Sequence, residues 1–584
     1  GGCLIVDCGV FEMSVATAEE KTNKSAFPGA KEICFASEAN ELFFGVVGHV
    51  GSGTGFVAKK LKELIVKRGY ETETIKASDA IRAWASKNDH VADAPPKEGR
   101  PEIWKTEQMQ TLGDKMREGL DPDNNADYAA VAQGVISLVR EKRAEWNGGD
   151  AVNGKAVQPK PDCSRAYIIE SIRHPAEVNL LRLVYGEAFA LVGVVCHEDV
   201  RERRLLSKYF ERENRKKDAS LTQVQDLMER DSEDKKIEHG QHVANAFWES
   251  DYFVDNSLDE DDLSPFSINE DLGRLIDIIT HSKIVRPTTA ETGMHVAVSA
   301  QIRSSCLSRQ VGAAIVDHEG NVLAIGSNEV PKAGGGVYGE EYKEEYDRRC
   351  NACEDPHCSS NAEQNELIQK LLKAFPSIKK EGDDTGGGNE NELLTKMRKA
   401  GLGGILEFTR AIHAEMDALT TAARRGISVK GAWMFVTTFP CHYCARHVVA
   451  AGIDQVQYIE PYPKSRALSL HGDSITNTAA DWVAPSAQKK DENNNDHVAD
   501  DDPACRTVGD PKFGRDTNKH KVLFRPFVGV APRLYHRAFT QDRSLKNNLT
   551  GKREIGTPDW GGKWGVRMIT YTDLEAHLTE EEAK

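Results

Sequence analysis

His413-Ala414-Glu415 and, one strand's length of chain later, Pro440-Cys441-His442-Tyr443-Cys444 supply an imidazole, two thiols and a carboxylate. One imidazole and two thiolates make three ligands for Zn²⁺ and leave the fourth tetrahedral position open, as catalytic rather than structural zinc requires. Water at such a position has a pKa of roughly 7, so a nucleophile is present at neutral pH. A carboxylate two residues after the histidine can take the water's proton, pass it to a ring nitrogen and later protonate a departing amine. That chemistry is hydrolytic deamination, with His413, Cys441 and Cys444 as metal ligands and Glu415 as proton carrier. A closed zinc knuckle would need a fourth ligand and would leave Glu415 without a role.

The elements that must position these groups are legible in the periodicity. Ala414, Met416, Ala418, Leu419 and Ala422 have the spacing of a helix opening near His413, and Trp433 to Val436 reads as a buried strand ended by Pro440. Cys441 and Cys444, three apart, share one face of the first turn of the next helix, whose positive end favours thiolate. Upstream, a helix through Met294 to Ser304 precedes a hairpin of Val311 to Val316 and Val322 to Ile325, with Gly320 and Asn321 in its turn suited to positive φ. The second zinc helix runs to Ala451, and a strand follows at Val456 to Ile459. The order αββαβαβ implies a mixed sheet between helices, with the metal at one end of the sheet. Further on, Val522 to Val530 reads as a strand completing the sheet edge and Pro532 to Phe539 as a helix.

With Arg309-Gln310-Val311-Gly312-Ala313, Gly326-Ser327-Asn328 and Ala451-Gly452-Ile453 added to the zinc motifs, the chain resembles the deoxycytidylate deaminases of the cytidine deaminase superfamily. Thr437 to Cys444 and Glu460-Pro461-Tyr462-Pro463-Lys464-Ser465 look more specifically like antiviral deoxycytidylate deaminases of bacteria that carry an amino-terminal P-loop domain. The resemblance implies conversion of deoxycytidine nucleotides (dCTP and/or dCMP) to deoxyuridine nucleotides plus ammonia, depleting nucleotides in antiphage defence. It also implies a homo-oligomer and, for some relatives, restraint by a partner RNA, although no residue here marks an RNA site. Asn328 becomes the deoxyribose-reading candidate, and Arg309 joins it as a substrate-binding residue. Glu329 departs from the pattern, since many relatives have Gly there, and so alters the local loop. Tyr462, Lys464, Arg466 and His471 follow the fourth strand as an aromatic and basic stretch suited to covering a base and pairing with phosphates.

Deaminases that edit DNA or RNA share these ligands, so the ligands alone do not choose a substrate. Charge does: 75 Lys+Arg against 91 Asp+Glu give a net charge of −16, without the basic footprint of a polynucleotide binder. A free nucleotide needs only a small basic pocket.

The first half carries a second pattern. Leu42 to Val47 reads as an apolar strand running into Gly48-His49-Val50-Gly51-Ser52-Gly53-Thr54-Gly55 and an amphipathic helix through Val57, Leu61, Leu64 and Ile65, which is the layout of a P-loop. Thr54 and Gly55 stand where the lysine and the Mg²⁺-holding hydroxyl belong, so Gly48, Gly51, Ser52, Gly53, Thr54 and Gly55 are expected to bind a nucleotide without efficient phosphoryl transfer. Ala166 to Arg173 reads as a strand with the acidic Glu170 near its end, and Ala188 to Cys196 as another followed by Arg201 to Arg204, a spacing that resembles the core of nucleoside monophosphate kinases. This half is read as a nucleotide-sensing or oligomerisation module, the alternative being a nucleotide-binding regulator to which the deaminase half merely responds.

Cys350, Cys353, His357 and Cys358 form a third cluster, with the spacing of a second, structural zinc; the alternative is loose cytosolic thiols. The expected architecture is α/β throughout: a polar tail over 1–32, with 1–12 extraneous to a start near Met13; a degenerate P-loop nucleoside-monophosphate-kinase-like domain over 33–265; a linker over 266–290; and a cytidine-deaminase-like α/β/α sandwich with a mixed sheet over 291–584. The last is expected to carry insertions at about 331–405 and 485–520, whose Gly, Asp and Asn content marks Lys380 to Glu392 and Ala487 to Pro503 as mobile. Twelve cysteines that include metal-like clusters suit a reducing cytosol, and no apolar run suggests a membrane span or export.

Overall fold

The computed structural model describes residues 40–90, 103–119, 126–152, 155–160, 163–232, 239–257, 268–352, 356–375, 390–405, 408–462, 465–479, 482–487, 520–541, 543–556 and 572. Among these residues twelve strands form two six-stranded sheets. They are β1 Glu41–Val47, β2 Glu71–Lys76, β3 Arg165–Ile172, β4 Phe189–Val195, β5 Tyr252–Asp255, β6 Gly312–Val316, β7 Val322–Ser327, β8 Trp433–Thr438, β9 Gln455–Glu460, β10 Ile475–Thr476, β11 Val522–Pro526 and β12 Gly529–Val530.

In the first sheet β2, β3, β1, β4 and β5 lie side by side and all parallel, and β12 closes the β5 edge antiparallel. β1 is buried along its whole length, as an apolar strand covered on both faces must be. On one face the helix Thr54–Val66 shares a core with the helix Ile268–Ile279 through Leu61 and Ile65 against Leu272, Leu275 and Ile276. Within 266–290, residues 268–279 space their apolar side chains three and four apart, and that stripe is buried in the first core.

The second sheet runs β10-β11-β9-β8-β6-β7, with β6 antiparallel to β7 and β8 and the remainder parallel. This is the mixed sheet the element order implied. The helix Thr289–Gln301 covers one face, where Gly312 lets β6 approach the backbone of Ala297 and Gln301. The helices Ala414–Arg424 and His442–Ala450 cover the other, packing Ala418, Ala422, Ala445 and Val448 on Ala313, Ile315, Met434 and Val436. In the hairpin turn Gly320 takes φ +91°, while Asn321 does not become left-handed; its amide N–H donates instead to Asp317 Oδ1 at 2.8 Å.

The expected single strand Val522 to Val530 is two strands in two sheets, and neither β11 nor β12 lies at the free edge of the second sheet, which β10 occupies. After Pro526 the amide of Phe527 still donates to Tyr458 O at 2.8 Å, and then Gly529 at φ +115° turns the chain into the first sheet. A side chain at 529 would collide with the buried carboxylate of Glu291, so the turn needs glycine. Glu291 completes the capping box with Thr288, accepts from Val530 N at 2.7 Å and pairs with Arg274 at 2.7 Å. Phe527 meets Phe253 edge to face across a core common to both sheets. Residues 291–556 are thus not packed as a separate body, because their last strand and helix dock on the first sheet.

Candidate active site

His413 is the N-cap of the helix Ala414–Arg424, and Cys441 is the N-cap of the helix His442–Ala450. Two positive helix ends therefore face one point, an arrangement that stabilises thiolate. His413 Nδ1 lies 3.4 Å from Cys441 Sγ and 3.4 Å from Cys444 Sγ, and the three ligand atoms are all within 4.8 Å of one another. A tetrahedral Zn²⁺ with ordinary Zn–N and Zn–S bonds separates its nitrogen and sulfur ligands by about 3.5 Å, so the donor set fits that ion in type and in spacing. Hydrogen bonds from Cys444 and His413 draw the Cys441 thiol down to about 4 despite its burial. His413 rises to about 9, chiefly through its bond to Cys441.

Glu415 sits one residue into the first helix, 4% exposed, with its carboxyl pushed up by burial and in hydrogen-bond contact with the Cys444 thiol. The helix is fastened to the sheet by Asp417, whose Oδ2 accepts from Ser327 N at 3.0 Å. Asp417 is a site residue that the motif reading does not single out; its signal is a second acid two positions after Glu415, buried at 6% exposure in the same helix.

Around this set the loop 304–311 is clamped. Asn328 accepts at Oδ1 from Val311 N at 2.6 Å and donates through Nδ2 to Arg309 O at 2.6 Å, so both ends of its amide hold the segment bearing Arg309. Glu329 is 1% exposed and accepts from Ser305 N at 2.8 Å, Ser305 Oγ at 2.6 Å and Val330 N at 2.8 Å. Its carbonyl accepts from Ile412 N at 3.0 Å, immediately before His413. The carboxylate thus ties residue 329 to the loop at Ser305, while the backbone carbonyl ties it to the chain entering the zinc helix.

Arg309 Nη1 pairs with Glu460 Oε1 at 3.1 Å, and Thr438 Oγ1 donates to Glu460 Oε2 at 3.1 Å. Tyr462 is brought beside Cys441 and Arg309: burial raises its hydroxyl, the Cys441 charge adds to this and Arg309 opposes it. Ser465 Oγ donates to Pro440 O at 2.7 Å and holds the stretch against the metal loop. Arg466 is exposed at the start of the helix Ala467–Leu470 and His471 is half-buried at its end, and neither contacts the ligand set among the described residues. Lys464 lies outside the described residues.

The second zinc does not assemble among the described residues. Only His413, Cys441 and Cys444 group there as metal ligands, Cys358 Sγ is engaged with Ser308 Oγ at 3.2 Å, and Cys353 is not described. Cys358 is the N-cap of the helix Ser359–Ala374, and with Cys353 outside the described residues the four-residue cluster stays an expectation.

In the first half, Gly48 to Gly53 links β1 to the helix Thr54–Val66, with Gly51 at φ +85° and Gly53 at φ +83°. Glu170 Oε1 would lie 2.8 Å from a Cβ on Gly55, so the carboxylate fills the place of the missing hydroxyl-bearing side chain. Asn256 Nδ2, at the end of β5, donates to Ser52 O at 2.7 Å. His49 is pushed down to about 3 by burial and then by Arg201 and Arg173. With no lysine at 54 and no hydroxyl at 55, the loop does not fit the Mg²⁺-assisted phosphoryl transfer of a P-loop.

Residues 287–460 match the family described as the cytidine and deoxycytidylate deaminase zinc-binding region. The deoxycytidylate deaminase of Enterobacteria phage T4 is 30% identical over 177 residues, covering 30% of this chain and 80% of that one. The deoxycytidylate deaminase of Mus musculus is 27% identical over 166 residues, 28% of this chain and 61% of its own. Among solved structures, the apo dCMP deaminase from the cyanophage S-TIM5 matches 32% of this chain and 95% of its own at 21% identity and a TM-score of 0.19. The chain belongs to the cytidine and deoxycytidylate deaminase family. It is a hydrolytic deaminase.

Proposed function

We propose that this chain deaminates deoxycytidine nucleotides, dCMP and/or dCTP, to the deoxyuridine nucleotides plus ammonia, with Zn²⁺ held by His413, Cys441 and Cys444. The observation that carries the reading is the buried Glu415 carboxyl in contact with a convergent His/Cys/Cys set that leaves a fourth tetrahedral position. When bound there, Zn²⁺ supplies Lewis-acid activation of water at neutral pH. Glu415 takes one proton from the attacking water and delivers it to the ring nitrogen, then moves the second from the added hydroxyl to the amino group, so that as the C–N bond breaks the water's oxygen stays as the ring carbonyl and the amine leaves as ammonia. Its burial favours the protonated form that the second half of this shuttle needs.

Arg309, fixed by Asn328 and Glu460, presents a guanidinium for the phosphate, and Tyr462 lines the same opening. Asn328 also remains the candidate for the sugar hydroxyl, through the second lone pair of its Oδ1. The net charge of −16 favours a free nucleotide over a polynucleotide. The motif resemblance supports the finer parts of the reading, namely dCTP as a substrate, a homo-oligomer in the cytoplasm and a role in antiphage defence. No helix among the described residues is long and apolar enough to cross a membrane.

Side-by-side assays of dCMP, dCTP, CTP and single-stranded DNA test the reading. Turnover of a deoxycytidine nucleotide is expected; deamination of DNA alone would replace it with the polynucleotide alternative.

A further inference from the structure

Asp231 lies in the last turn of the helix Asp218–Ser232 and is 1% exposed, yet its two oxygens meet groups that a phosphate would meet. Oδ2 accepts from Val50 N at 2.7 Å, inside the loop between β1 and its helix. Oδ1 pairs with Arg173 Nη1 at 2.6 Å, and the same Nη1 donates to Gly48 O at 3.1 Å. The loop lies at the carboxyl end of the central parallel strand, where open α/β sheets and helix starts receive anions.

A second observation points to a ligand. Ser52 is 1% exposed and its hydroxyl has no hydrogen-bond partner. That hydroxyl is turned back across the loop, 2.5 Å from where a Cβ on Gly48 would stand. A buried donor is normally satisfied, and an oxyanion seated in the loop would satisfy this one. Meanwhile the tip of the loop is held shut: Val50 is buried among Leu205, Val224, Leu227 and Met228 of the helices Glu198–Tyr209 and Asp218–Ser232.

We infer that Gly48 to Ser52 and Arg173 form a binding site for a phosphate-bearing ligand, filled in this conformation by the Asp231 carboxylate, and that a polyphosphate binds by displacing Asp231 and unseating its helix. The absent lysine and hydroxyl make this a binding site without phosphoryl transfer. One carboxylate on the loop and a ligand phosphate compete for the same amide and the same guanidinium, so each weakens the other.

The test uses the full chain with Glu415→Gln, which prevents turnover, and compares Asp231→Asn with its parent by calorimetry against inorganic tripolyphosphate, ATP and dCTP. Asp231→Asn is expected to bind tripolyphosphate about tenfold more tightly, because the internal anion is gone, and Ser52→Ala to bind it more weakly. Tightening for ATP and dCTP as well as for tripolyphosphate supports displacement by the phosphate chain of a nucleotide. Equal or weaker binding by Asp231→Asn overturns the inference. Should that variant fail to fold, hydrogen exchange on the parent decides: tripolyphosphate should protect 48–53 and speed exchange in 218–232. Unchanged exchange, or protection of both segments, overturns the inference.

Discussion

Gly326 and Ala414 lie backbone against backbone: a Cβ on Gly326 would overlap the Ala414 carbonyl oxygen and stand 3.0 Å from Ala418 Cα. β7 can therefore run directly beneath the helix that begins at His413 and carries Glu415. Replacing Gly326 with Ala must push that helix outward, and a displacement of about 1 Å at a reacting group costs on the order of a hundredfold in rate. The expected result is a fall of that size in kcat/KM with the fold retained by circular dichroism. Wild-type activity would show that the close approach does not position Glu415.

Arg309 is half-exposed, and its pair with Glu460 leaves donors free for a second acceptor. Arg309→Ala is expected to raise KM for dCMP or dCTP about tenfold while leaving the nucleoside deoxycytidine little affected. Equal losses on nucleotide and nucleoside would place the arginine in loop structure instead.

Glu291 joins two helices and a strand of the first sheet, through Thr288, Arg274 and Val530. Glu291→Ala orphans the amide of Val530 and removes the charge partner of Arg274, at a cost of about 2–4 kcal/mol. Chemical denaturation should report that loss, and both sheets should unfold in one transition. Two separated transitions in the wild-type chain would contradict the shared core.

His174 caps the helix Pro175–Tyr185 by accepting at Nδ1 from Ala176 N at 3.1 Å, a bond only the unprotonated nitrogen can make. Burial, then Arg117 and His242, push it down to about 3 from 6.5. The unfolded state thus binds a proton that the native state refuses between those values. Stability from this group is complete above pH 6.5 and declines as pH falls toward 3, by about 2 kcal/mol or more across the window. His174→Asn keeps a capping acceptor without a titratable group, so its stability should fall less over the same range.

Much of the second half was readable because its chemistry and periodicity coincide. His413, Glu415, Cys441 and Cys444 sit at helix starts, and the αββαβαβ order follows from apolar spacing alone. What stayed hidden depended on contacts far apart in sequence. Asp231 meets Val50 across 181 residues, and Glu291 meets Val530 across 239, and neither distance leaves a local pattern. Within Val522 to Val530, Pro526 and Gly529 mark a break, but that Val530 pairs with the other sheet depends on Tyr252, far away in sequence.

Glu415→Gln tests the central claim most directly, because the amide keeps the size of the buried side chain and removes its proton transfer. Purified and assayed on dCMP and dCTP with its metal content measured in parallel, the variant should retain about one zinc per chain and lose a hundredfold or more of the wild-type kcat. Zinc retained together with undiminished turnover would contradict the account.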